Sequence, residues 1–393
     1  MTAVPGKDEW KSRDQVPVRR SPHVPSDPAA PRRPAVGSPA IVAVLPAHDE
    51  QSRPAVVIES VRAQHRSVSR IIVIADRCTD RTAAIARRHG CQVIETVGNK
   101  NLKAGALNQV LPKLLDTLDE AELLLIMDAD STICPEFTAV AHHYLHARLE
   151  VAAIGGVFYG QDGAGLLGAL QRNEYVRYAS EVARRKARAT VLTGTASVFR
   201  ASVLRAVAAA RGTRLPGPQG CVHPAALTED NEITLAVKHL GWVTLSPRSC
   251  RGVTESMPTW REFVRQRLRW QRGTLENLQI YGLTRVTLPC ILKQCSMYFG
   301  IVAVSLMLFT SALFVYLGLY TAPHGWLWIP LTVFTAERIW TVRRQGLRAM
   351  ALAALLVLEF AYDGVQQWVH IRAVADVTRR KSHQWHHLAG EER

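Results

Sequence analysis

Two aspartates follow a predicted buried strand, in the run Met127-Asp128-Ala129-Asp130. We predict the strand at Leu123–Met127, which places both carboxylates at its carboxyl end, where α/β proteins commonly bind ligands. Hard divalent cations such as Mg²⁺ and Mn²⁺ prefer oxygen ligands, and they usually complete their coordination with substrate phosphates. Asp128 and Asp130 are therefore a candidate metal site. The alternative is a solvated aspartate turn before the helix predicted from Pro135.

A second pair of carboxylates, Glu229 and Asp230, lies at the start of another predicted helix, in the run Thr228-Glu229-Asp230. A general base that deprotonates an acceptor hydroxyl must be a carboxylate that faces the bound substrate. Aspartate is also a favoured N-cap residue of helices, so Asp230 has a purely structural alternative.

The run Gln266-Arg267-Leu268-Arg269-Trp270 lies inside a predicted helix. Gln266, Arg269 and Trp270 have the i, i+3, i+4 spacing that places them on one helix face. An arginine beside an indole and an amide suits a phosphate-bearing leaving group and a sugar ring. The alternative is an amphipathic helix on anionic lipid, which the additional arginines of this helix favour. The two interpretations are compatible.

Three single charged residues also follow strands or open helices. Glu50 follows the first predicted strand and Asp76 the second, and either could bind a base or ribose or simply begin a turn. Lys103 opens a helix and could meet a phosphate. None of the three is specific by itself.

Short apolar runs alternate with helical stretches from Ile41 onward, which is typical of a parallel α/β sheet. The predicted strands are Ile41–Leu45, Arg70–Ala75, Cys91–Thr96, Leu123–Met127 and Val151–Tyr159. The predicted helices are Pro54–Gln64, Asp80–His89, Ala104–Leu115 and Pro135–His146. No G-x-G-x-x-G motif follows the first strand, which disfavours a dinucleotide-binding oxidoreductase.

The segment Val191–Arg200 comes after this predicted sheet and is followed by a Gly/Pro-rich loop, Arg211–Pro224. A helix then begins near Glu229 and ends before Gly241. The next helix has a capping box formed by Thr259 and Glu262, and it runs towards Tyr281.

The net charge of +15 is concentrated in arginine-rich stretches beside apolar runs, which favours a membrane surface over nucleic acid as the partner. The chain has seven cysteines and no C-x-x-C pair, which fits a reducing cytoplasm better than a disulfide framework or a zinc site. Residues 1–37 are rich in proline and arginine and are predicted to be a disordered tail.

Met297–Tyr320 contains no charged residue over 24 positions, enough to cross a bilayer as a helix. Two shorter apolar runs follow, Gly325–Ala336 and Ala349–Ala361. We predict two spans, with the uncharged turn Thr321–His324 outside. Because Glu359 and Asp363 make a lipid-facing span costly, we expect the third run to be a surface or re-entrant helix.

In this order, the motifs resemble those of the inverting family 2 glycosyltransferases, particularly the membrane-integrated synthases of cellulose, hyaluronan, chitin oligosaccharides and poly-N-acetylglucosamine. The resemblance covers about Ile41–Tyr281 and the membrane segments behind it. It implies a GT-A fold, which is a Rossmann-like α/β domain that binds nucleotide sugars, followed by an amphipathic interface helix and C-terminal transmembrane helices. The chain lacks the F-x-V-T-A-type gating loop of the cellulose synthases, so sugar transfer is better founded than polymer export.

The resemblance also implies a role for each motif. Pro46, Ala47 and Glu50 match the first donor loop, Asp76 the uridine-binding loop and Lys103 a K-A-G-x-x-N element that contacts the donor diphosphate. Asp128 and Asp130 match the D-x-D pair, implying contacts with the ribose or phosphate and with the metal. Glu229 and Asp230 match the T-E-D motif, whose aspartate is the base. Thr193, Gly194 and Thr195 match a loop near the acceptor, and Gln266, Arg269 and Trp270 match Q-x-x-R-W.

The expected activity is therefore transfer of a hexose or N-acetylhexosamine from a UDP-sugar to a saccharide or lipid-linked acceptor, with Mg²⁺ or Mn²⁺ as cofactor. Polysaccharide synthesis by repeated transfer and addition of a single sugar to a lipid-linked or cell-wall acceptor both stay open. An alternative of another class is a non-catalytic membrane protein that binds nucleotide sugars or polysaccharides. A nucleotidyltransferase would share the carboxylate pair but does not need the Q-x-x-R-W helix.

We expect a multi-pass protein of the cell membrane with its catalytic domain in the cytoplasm, contacts with membrane lipid, and either a membrane partner subunit or a homo-oligomer. Nucleic acid is not an expected partner. The expected divisions are the tail 1–37, a catalytic domain 38–255, an interface helix 256–285, a membrane region 286–376 and a basic tail 377–393.

Overall fold

The computed structural model describes residues 39–319 and 328–379. These residues form two compact units, one ending at Thr259 and the other beginning at Trp260. The predicted tail 1–37, the turn Thr321–His324 and most of the basic tail 377–393 lie outside the described residues.

The first unit is built on a seven-stranded sheet with the strand order β3-β2-β1-β4-β8-β6-β9. Its first half alternates strands and helices as predicted: β1 (Ile41–Ala47), α1 (Pro54–Arg62), β2 (Arg70–Ala75), α2 (Thr82–Arg88), β3 (Gln92–Glu95), α3 (Leu102–Asp116) and β4 (Leu123–Ile126). These four strands are mutually parallel. Every residue of β1 and β4 is buried, which explains their uninterrupted apolar sequences.

The sheet is mixed, which corrects the prediction of a parallel sheet. Strand β8 (Ser197–Arg200) lies between β4 and β6 and is antiparallel to both. The sequence analysis placed Val191–Arg200 after the sheet, because a four-residue strand has no periodicity that reveals where it inserts. Its register pairs Ser197 with Ile126, so the segment before β8 lies beside the carboxyl end of β4.

The predicted strand Val151–Tyr159 is two strands in different sheets. Strand β6 (Val151–Gly155) belongs to the large sheet, whereas β7 (Val157–Gly160) joins β5 (Thr132–Ile133) and β10 (Arg251–Thr254) in a three-stranded sheet. The change occurs at Gly156, whose amide donates to the Ala196 carbonyl while the next amide donates to Cys250. A side chain at position 156 would lie only 3.1 Å from the Phe137 ring, so glycine permits the close approach.

The other elements of this unit are α4 (Phe137–Ala147), α5 (Gly165–Arg184), α6 (Ala201–Ala210), α7 (Glu229–His239) and β9 (Val243–Leu245). Helix α7 begins and ends as predicted. Helices α5 and α6 were not predicted.

The second unit is helical in its described residues: α8 (Trp260–Tyr281), α9 (Leu288–Tyr316), α10 (Trp328–Val342), a 3₁₀ turn at Arg343–Gln345, α11 (Leu347–Ala354) and α12 (Leu356–Thr378). Among the described residues, α9 is the one helix that by length and composition could cross a membrane alone. The pair α11 and α12 passes the same test together but is bent by 75°. The predicted apolar run Ala349–Ala361 is therefore broken near Leu355.

Candidate active site

The loops that follow β1 and β2 are joined by Asp49. Its carboxylate accepts a hydrogen bond from the Thr79 amide (2.6 Å) and another from the Thr79 hydroxyl (3.0 Å). Burial acts to raise the pKa of Asp49, but these bonds and one from the Asp80 amide outweigh it and lower that pKa. Asp49 therefore stays ionised and fixes the shape of both loops.

Asp49, Cys78 and Asp80 have ligand atoms close enough together for one metal ion. The two carboxylates already accept hydrogen bonds within the loops. Asp80 accepts from the amides of Gln51 and Thr82, both at 2.8 Å, and Asp49 accepts the bonds described above. Burial also raises the pKa of Cys78, which disfavours a thiolate ligand. We interpret this cluster as a junction between loops.

Asp76 lies at the end of β2, in a buried polar pocket. Its Oδ1 accepts from the Thr96 hydroxyl (2.6 Å) and from the Asn99 amide group (2.9 Å), and its own amide donates to the Ala47 carbonyl. Ala47 and Pro46 are paired residues of β1, so this part of the predicted donor site is backbone of the central sheet. The carboxylate is thereby held at the edge where a base or ribose is expected.

Lys103 connects the two candidate carboxylate pairs. Its ammonium group forms ion pairs with Asp128 and, at 2.5 Å, with Glu229. Burial acts to lower the pKa of Lys103, but the two carboxylates outweigh it and raise that pKa, so the side chain stays charged. The D-x-D segment after β4 and the T-E-D segment of α7 thus meet at one cation.

Gly194 lies between these acids. The Asp128 amide donates to the Gly194 carbonyl and the Gly194 amide donates to Asp230 Oδ2, both at 3.0 Å. A Cβ at position 194 would lie 3.0 Å from Asp128 Oδ2, 3.4 Å from Lys103 Nζ and 3.5 Å from Asp230 Oδ2. The predicted Thr193-Gly194-Thr195 loop is therefore in the same cluster, and a side chain on its glycine would fill the space between the carboxylates.

A small cavity opens beside this cluster. Its polar lining includes Lys103, Glu229 and Asp230, and its apolar lining includes Leu107, Leu192 and Phe199. Charged groups at an apolar wall are poorly solvated, which is the setting that shifts pKa values.

Asp230 occupies the first turn of α7, but it is not the helix cap, because the N-cap position belongs to Thr228. Asp230 is therefore not the N-cap residue that the structural alternative assumed. Burial and the neighbouring Glu229 raise the pKa of Asp230 to about 7, although the Lys103 charge acts to lower it. A carboxylate with this pKa is well matched to general-base catalysis near neutral pH.

Two further acids surround the D-x-D segment. Burial and Asp128 raise the pKa of Asp130 to about 6, although Ser131 donates a hydrogen bond to it (2.7 Å). Burial and the charges of Asp130, Glu255 and Asp128 raise the pKa of Glu50 to about 8. Glu255 was missed by the sequence analysis. It follows the short strand β10, whose antiparallel pairing with β5 brings it towards Asp130, and it binds Arg53 at 2.7 Å.

The donor set fits a hard divalent cation. Within the described residues, Asp128 and Asp130 each use one carboxylate oxygen in a contact inside the protein, Asp128 with Lys103 and Asp130 with Ser131. Their other oxygens are available, and Asp128 and Glu255 place further negative charge near the buried Asp130 carboxylate. A cation bound by carboxylates would relieve this repulsion.

The position of α7 is fixed by an ion pair that sequence reasoning also missed. Arg211 and Glu232 have fully buried side chains and bind each other through two contacts of 2.7 and 2.9 Å. Glu232 also accepts from the His223 amide, and Asn108 of α3 brackets the Val222 backbone through both ends of its amide. The Gly/Pro-rich loop before the T-E-D motif is thus clamped from two sides.

The three Q-x-x-R-W candidates, Gln266, Arg269 and Trp270, lie on α8 in the second unit. Arg269 is exposed, and Gln266 and Trp270 are half-buried. Arg267, which the sequence analysis did not single out, is buried at 5% exposure and lies over the Trp270 ring.

A sequence profile of the family described as "Glycosyltransferase like family 2" matches residues 39–273. No curated protein sequence matches the chain. Among solved structures, the mannosyltransferase PcManGT from Pyrobaculum calidifontis, in complex with GDP-Man and Mn²⁺, is similar with a TM-score of 0.57 and 17% identity, over 88% of this chain and 89% of that one. A glucosyl-3-phosphoglycerate synthase from Mycobacterium tuberculosis, in complex with Mn²⁺, UDP-glucose and glycerol 3-phosphate, has a TM-score of 0.38 and 18% identity, over 63% and 81%.

The likeness to the mannosyltransferase shows a GT-A fold, which confirms the predicted fold of the first unit. The profile covers more than half of the chain and spans both carboxylate pairs, Lys103, Gly194 and the Q-x-x-R-W residues. The chain therefore belongs to the family 2 glycosyltransferases and is a glycosyl-transferring enzyme.

Proposed function

We propose that this enzyme is a membrane-anchored inverting transferase that moves a hexose or N-acetylhexosamine from a UDP-sugar to a saccharide or lipid-linked acceptor. The observation that carries the proposal is the convergence of Lys103, Asp128, Glu229 and Asp230 around Gly194. This convergence supports the proposal because a cation suited to a diphosphate, a carboxylate suited to the donor and a carboxylate of raised pKa lie within one small space.

On the donor side, Asp76 binds the base or ribose, and Asp128 binds the ribose or a phosphate. Lys103, which stays charged and is held by two carboxylates, also attracts the negatively charged diphosphate. Asp130, with Asp128, would hold Mg²⁺ or Mn²⁺, and that ion would neutralise charge on the departing diphosphate. The similar mannosyltransferase is in complex with GDP-Man and Mn²⁺, which supports a nucleotide-sugar donor and a divalent metal for this enzyme.

On the acceptor side, Asp230 accepts the proton of the attacking hydroxyl. The hydroxyl oxygen forms a bond to the anomeric carbon as the bond to the diphosphate breaks, so an α-linked donor gives a β-linked product. The Gly194 amide and the first turn of α7 stabilise the Asp230 carboxylate before the proton moves. Gln266, Arg269 and Trp270 seat the acceptor end and the diphosphate.

We propose that α9 anchors the enzyme in the cell membrane with residues 38–285 in the cytoplasm, where nucleotide sugars are found. The most apolar stretch of this 29-residue helix has a mean hydropathy of 2.1, and many of its large apolar side chains are exposed, including Phe299, Val302 and Phe309. The uncovered apolar surface supports contact with lipid. Additional spans, a partner subunit and a homo-oligomer stay predictions.

The test is to incubate membranes that contain the enzyme with radiolabelled UDP-glucose, UDP-N-acetylglucosamine, UDP-galactose and GDP-mannose, each with Mn²⁺. We expect transfer from one UDP-sugar, and none from membranes that contain Asp230→Asn at equal abundance. Transfer from GDP-mannose alone would contradict the UDP assignment. The product length then separates repeated transfer, which gives a ladder or polymer, from addition of a single sugar.

A further inference from the structure

Arg267 forms the centre of a stack on α8. Its guanidinium carbon lies 4.9 Å from the centroid of the Phe263 ring and 4.4 Å from that of the Trp270 ring. These rings lie four residues before and three residues after the arginine, so all three side chains lie on one face of the helix. A planar guanidinium stacks on aromatic faces in a way that the compact ammonium of lysine does not.

The base of this stack is rigid. The Phe263 ring is fully buried, 5.1 Å from the Tyr362 ring of α12 and 5.8 Å from the Trp260 ring. Tyr362 is fully buried as well and lies 6.3 Å from Trp260. Three aromatic rings in mutual contact leave Phe263 little freedom to turn, so Arg267 has a fixed surface beneath it.

Arg267 also contacts the other end of the motif. Its Nη1 donates to the Gln266 side-chain oxygen at 3.2 Å. One buried cation therefore contacts two of the three residues proposed to seat the acceptor end. Loss of its plane would remove one contact from the Trp270 ring and one from the Gln266 amide together.

We propose that Arg267 is a positioning residue that orients Trp270 and Gln266 for acceptor binding, with Phe263 and Tyr362 as its support. The proposal rests on the proposed function of Gln266 and Trp270. It makes the orientation of the acceptor end depend on α12, because Tyr362 belongs to that helix. Arg267 itself is not required to touch either substrate.

The direct test is fluorine NMR of the detergent-solubilised full chain labelled with 5-fluorotryptophan. The chain has nine tryptophans, and Trp270→Phe identifies the Trp270 signal by its loss. We expect Arg267→Lys, which keeps the charge but removes the plane, to shift or broaden the Trp270 signal while most of the others stay in place. The control is Arg261→Lys, an exposed arginine of the same helix, which should leave the Trp270 signal unchanged.

The second readout is catalysis. Sugar transfer by membranes, with the UDP-sugar accepted in the panel above, should fall roughly tenfold in Arg267→Lys, which is the scale of one or two lost cation–π contacts. The dissociation constant of UDP with Mn²⁺ should stay within about twofold of the original protein, because Arg267 contacts Gln266 and Trp270, which we assign to the acceptor end, whereas the diphosphate keeps its proposed cations Lys103 and Arg269.

An unchanged Trp270 signal in Arg267→Lys would overturn the proposal. A shifted signal in a protein whose transfer is unaffected by Trp270→Phe would support the positioning by Arg267 but contradict the proposed function of Trp270. If Arg267→Lys shifts or broadens all nine tryptophan signals, as unfolding would, the variant Phe263→Leu is measured instead to decide whether the stack holds Trp270. That variant removes one ring of the stack, and it should move the Trp270 signal if the stack holds it and leave it in place if the stack does not.

Discussion

The ammonium group of Lys103 lies 2.5 Å from the Glu229 carboxylate, which ties the first turn of α3 to the first turn of α7. The same ammonium pairs with Asp128 at the end of β4. A single cation thus joins three elements that are far apart in sequence. Its positive charge lies among the acids on both sides of Gly194.

Replacing Lys103 by Met should therefore affect donor binding first. Asp128 and Glu229 would lose their common partner, and the diphosphate would lose a cation. We expect the dissociation constant of UDP with Mn²⁺ to rise at least about tenfold, the scale of one lost charge-assisted contact. Lys100→Met, at an exposed lysine of the preceding loop, is the matched control and should bind UDP normally. Equal affinities in the two variants would contradict the proposed diphosphate contact.

Asp230→Asn should separate binding from chemistry. The amide keeps the size of the side chain but cannot accept the acceptor proton, so we expect transfer to fall by at least about a hundredfold while UDP binding is nearly intact. Asp116→Asn, at an exposed residue near the end of α3, should retain full transfer. If Asp230→Asn lowers only the melting temperature, the residue is structural and the base lies elsewhere.

The pH dependence follows from the raised pKa of Asp230, about 7. The carboxylate is competent as a base only when deprotonated, so transfer measured at saturating Mn²⁺ should rise with pH through about 7 and then level off. The effect on stability has the opposite sign. The folded protein holds a proton that the unfolded chain releases near pH 4, so the free energy of unfolding falls as the pH rises from about 4 to 7.

This sign can be checked by thermal unfolding without metal. The melting temperature should be lower at pH 7.5 than at pH 5, and Asp230→Asn should reduce the difference because the amide does not titrate. A melting temperature that is unchanged over this range, or that increases, would show that burial does not raise the pKa of Asp230 in the folded protein.

The sequence predicts those parts of the fold that depend on neighbouring residues, and it does not predict those that depend on contacts between residues far apart in the chain. The positions of β1, β2 and β4 follow from their apolar runs, and the position of α7 follows from the residues near its two ends, Glu229 and Gly241. The insertion of β8 next to β4 does not, because its four residues could pair with several edges, and contacts distant in sequence decide between them. The sheet is mixed for this reason, and Gly194 reaches the carboxylates for the same reason.

In the candidate active site, too, the sequence indicated single residues and short motifs but not the contacts between them. Residue types and spacing gave both carboxylate pairs and Lys103 as candidates, and the family resemblance implied their roles, but neither indicated that Lys103 joins the two pairs. Glu255 and the buried pair Arg211–Glu232 were missed because each is an isolated charged residue in sequence, and only the fold supplies its partner. The position of Asp128 and Asp130 about a common metal ion stays a prediction.

Metal removal tests that prediction. Thorough chelation should abolish transfer, and Mn²⁺ or Mg²⁺ should restore it; full turnover after chelation would refute the metal site. Binding of Mn²⁺ should also release protons, because the pKa values of Asp130 and Glu50 are raised to about 6 and 8. Calorimetry at pH 6 in two buffers of different ionisation enthalpy measures this release, and Asp130→Asn should reduce it together with the affinity.

The acids Glu359 and Asp363, in and just after the third apolar run, would be costly to place in a membrane as single charges, but both have an ion-pair partner in the second unit. Arg338 of α10 pairs with Asp363 of α12 at 2.5 Å and with the fully buried Glu359 at 3.5 Å. Paired charges tolerate an apolar environment far better than single ones, so these acids no longer forbid membrane depth. The 75° bend between α11 and α12 nevertheless favours a re-entrant or surface arrangement over a straight span.

We therefore keep the prediction that the chain returns to the cytoplasm after α12. A cysteine introduced at Lys381, in a variant whose native cysteines are removed, should resist a membrane-impermeant thiol reagent in intact cells and react once the cells are opened. A cysteine at His324 is the matched control and should react in intact cells, because the predicted turn Thr321–His324 faces outward. Prompt labelling at position 381 in intact cells would contradict a cytoplasmic end of the chain; it would mean that an odd number of segments crosses the membrane and that the arginines near the end of the chain lie outside, against the usual distribution of positive charge.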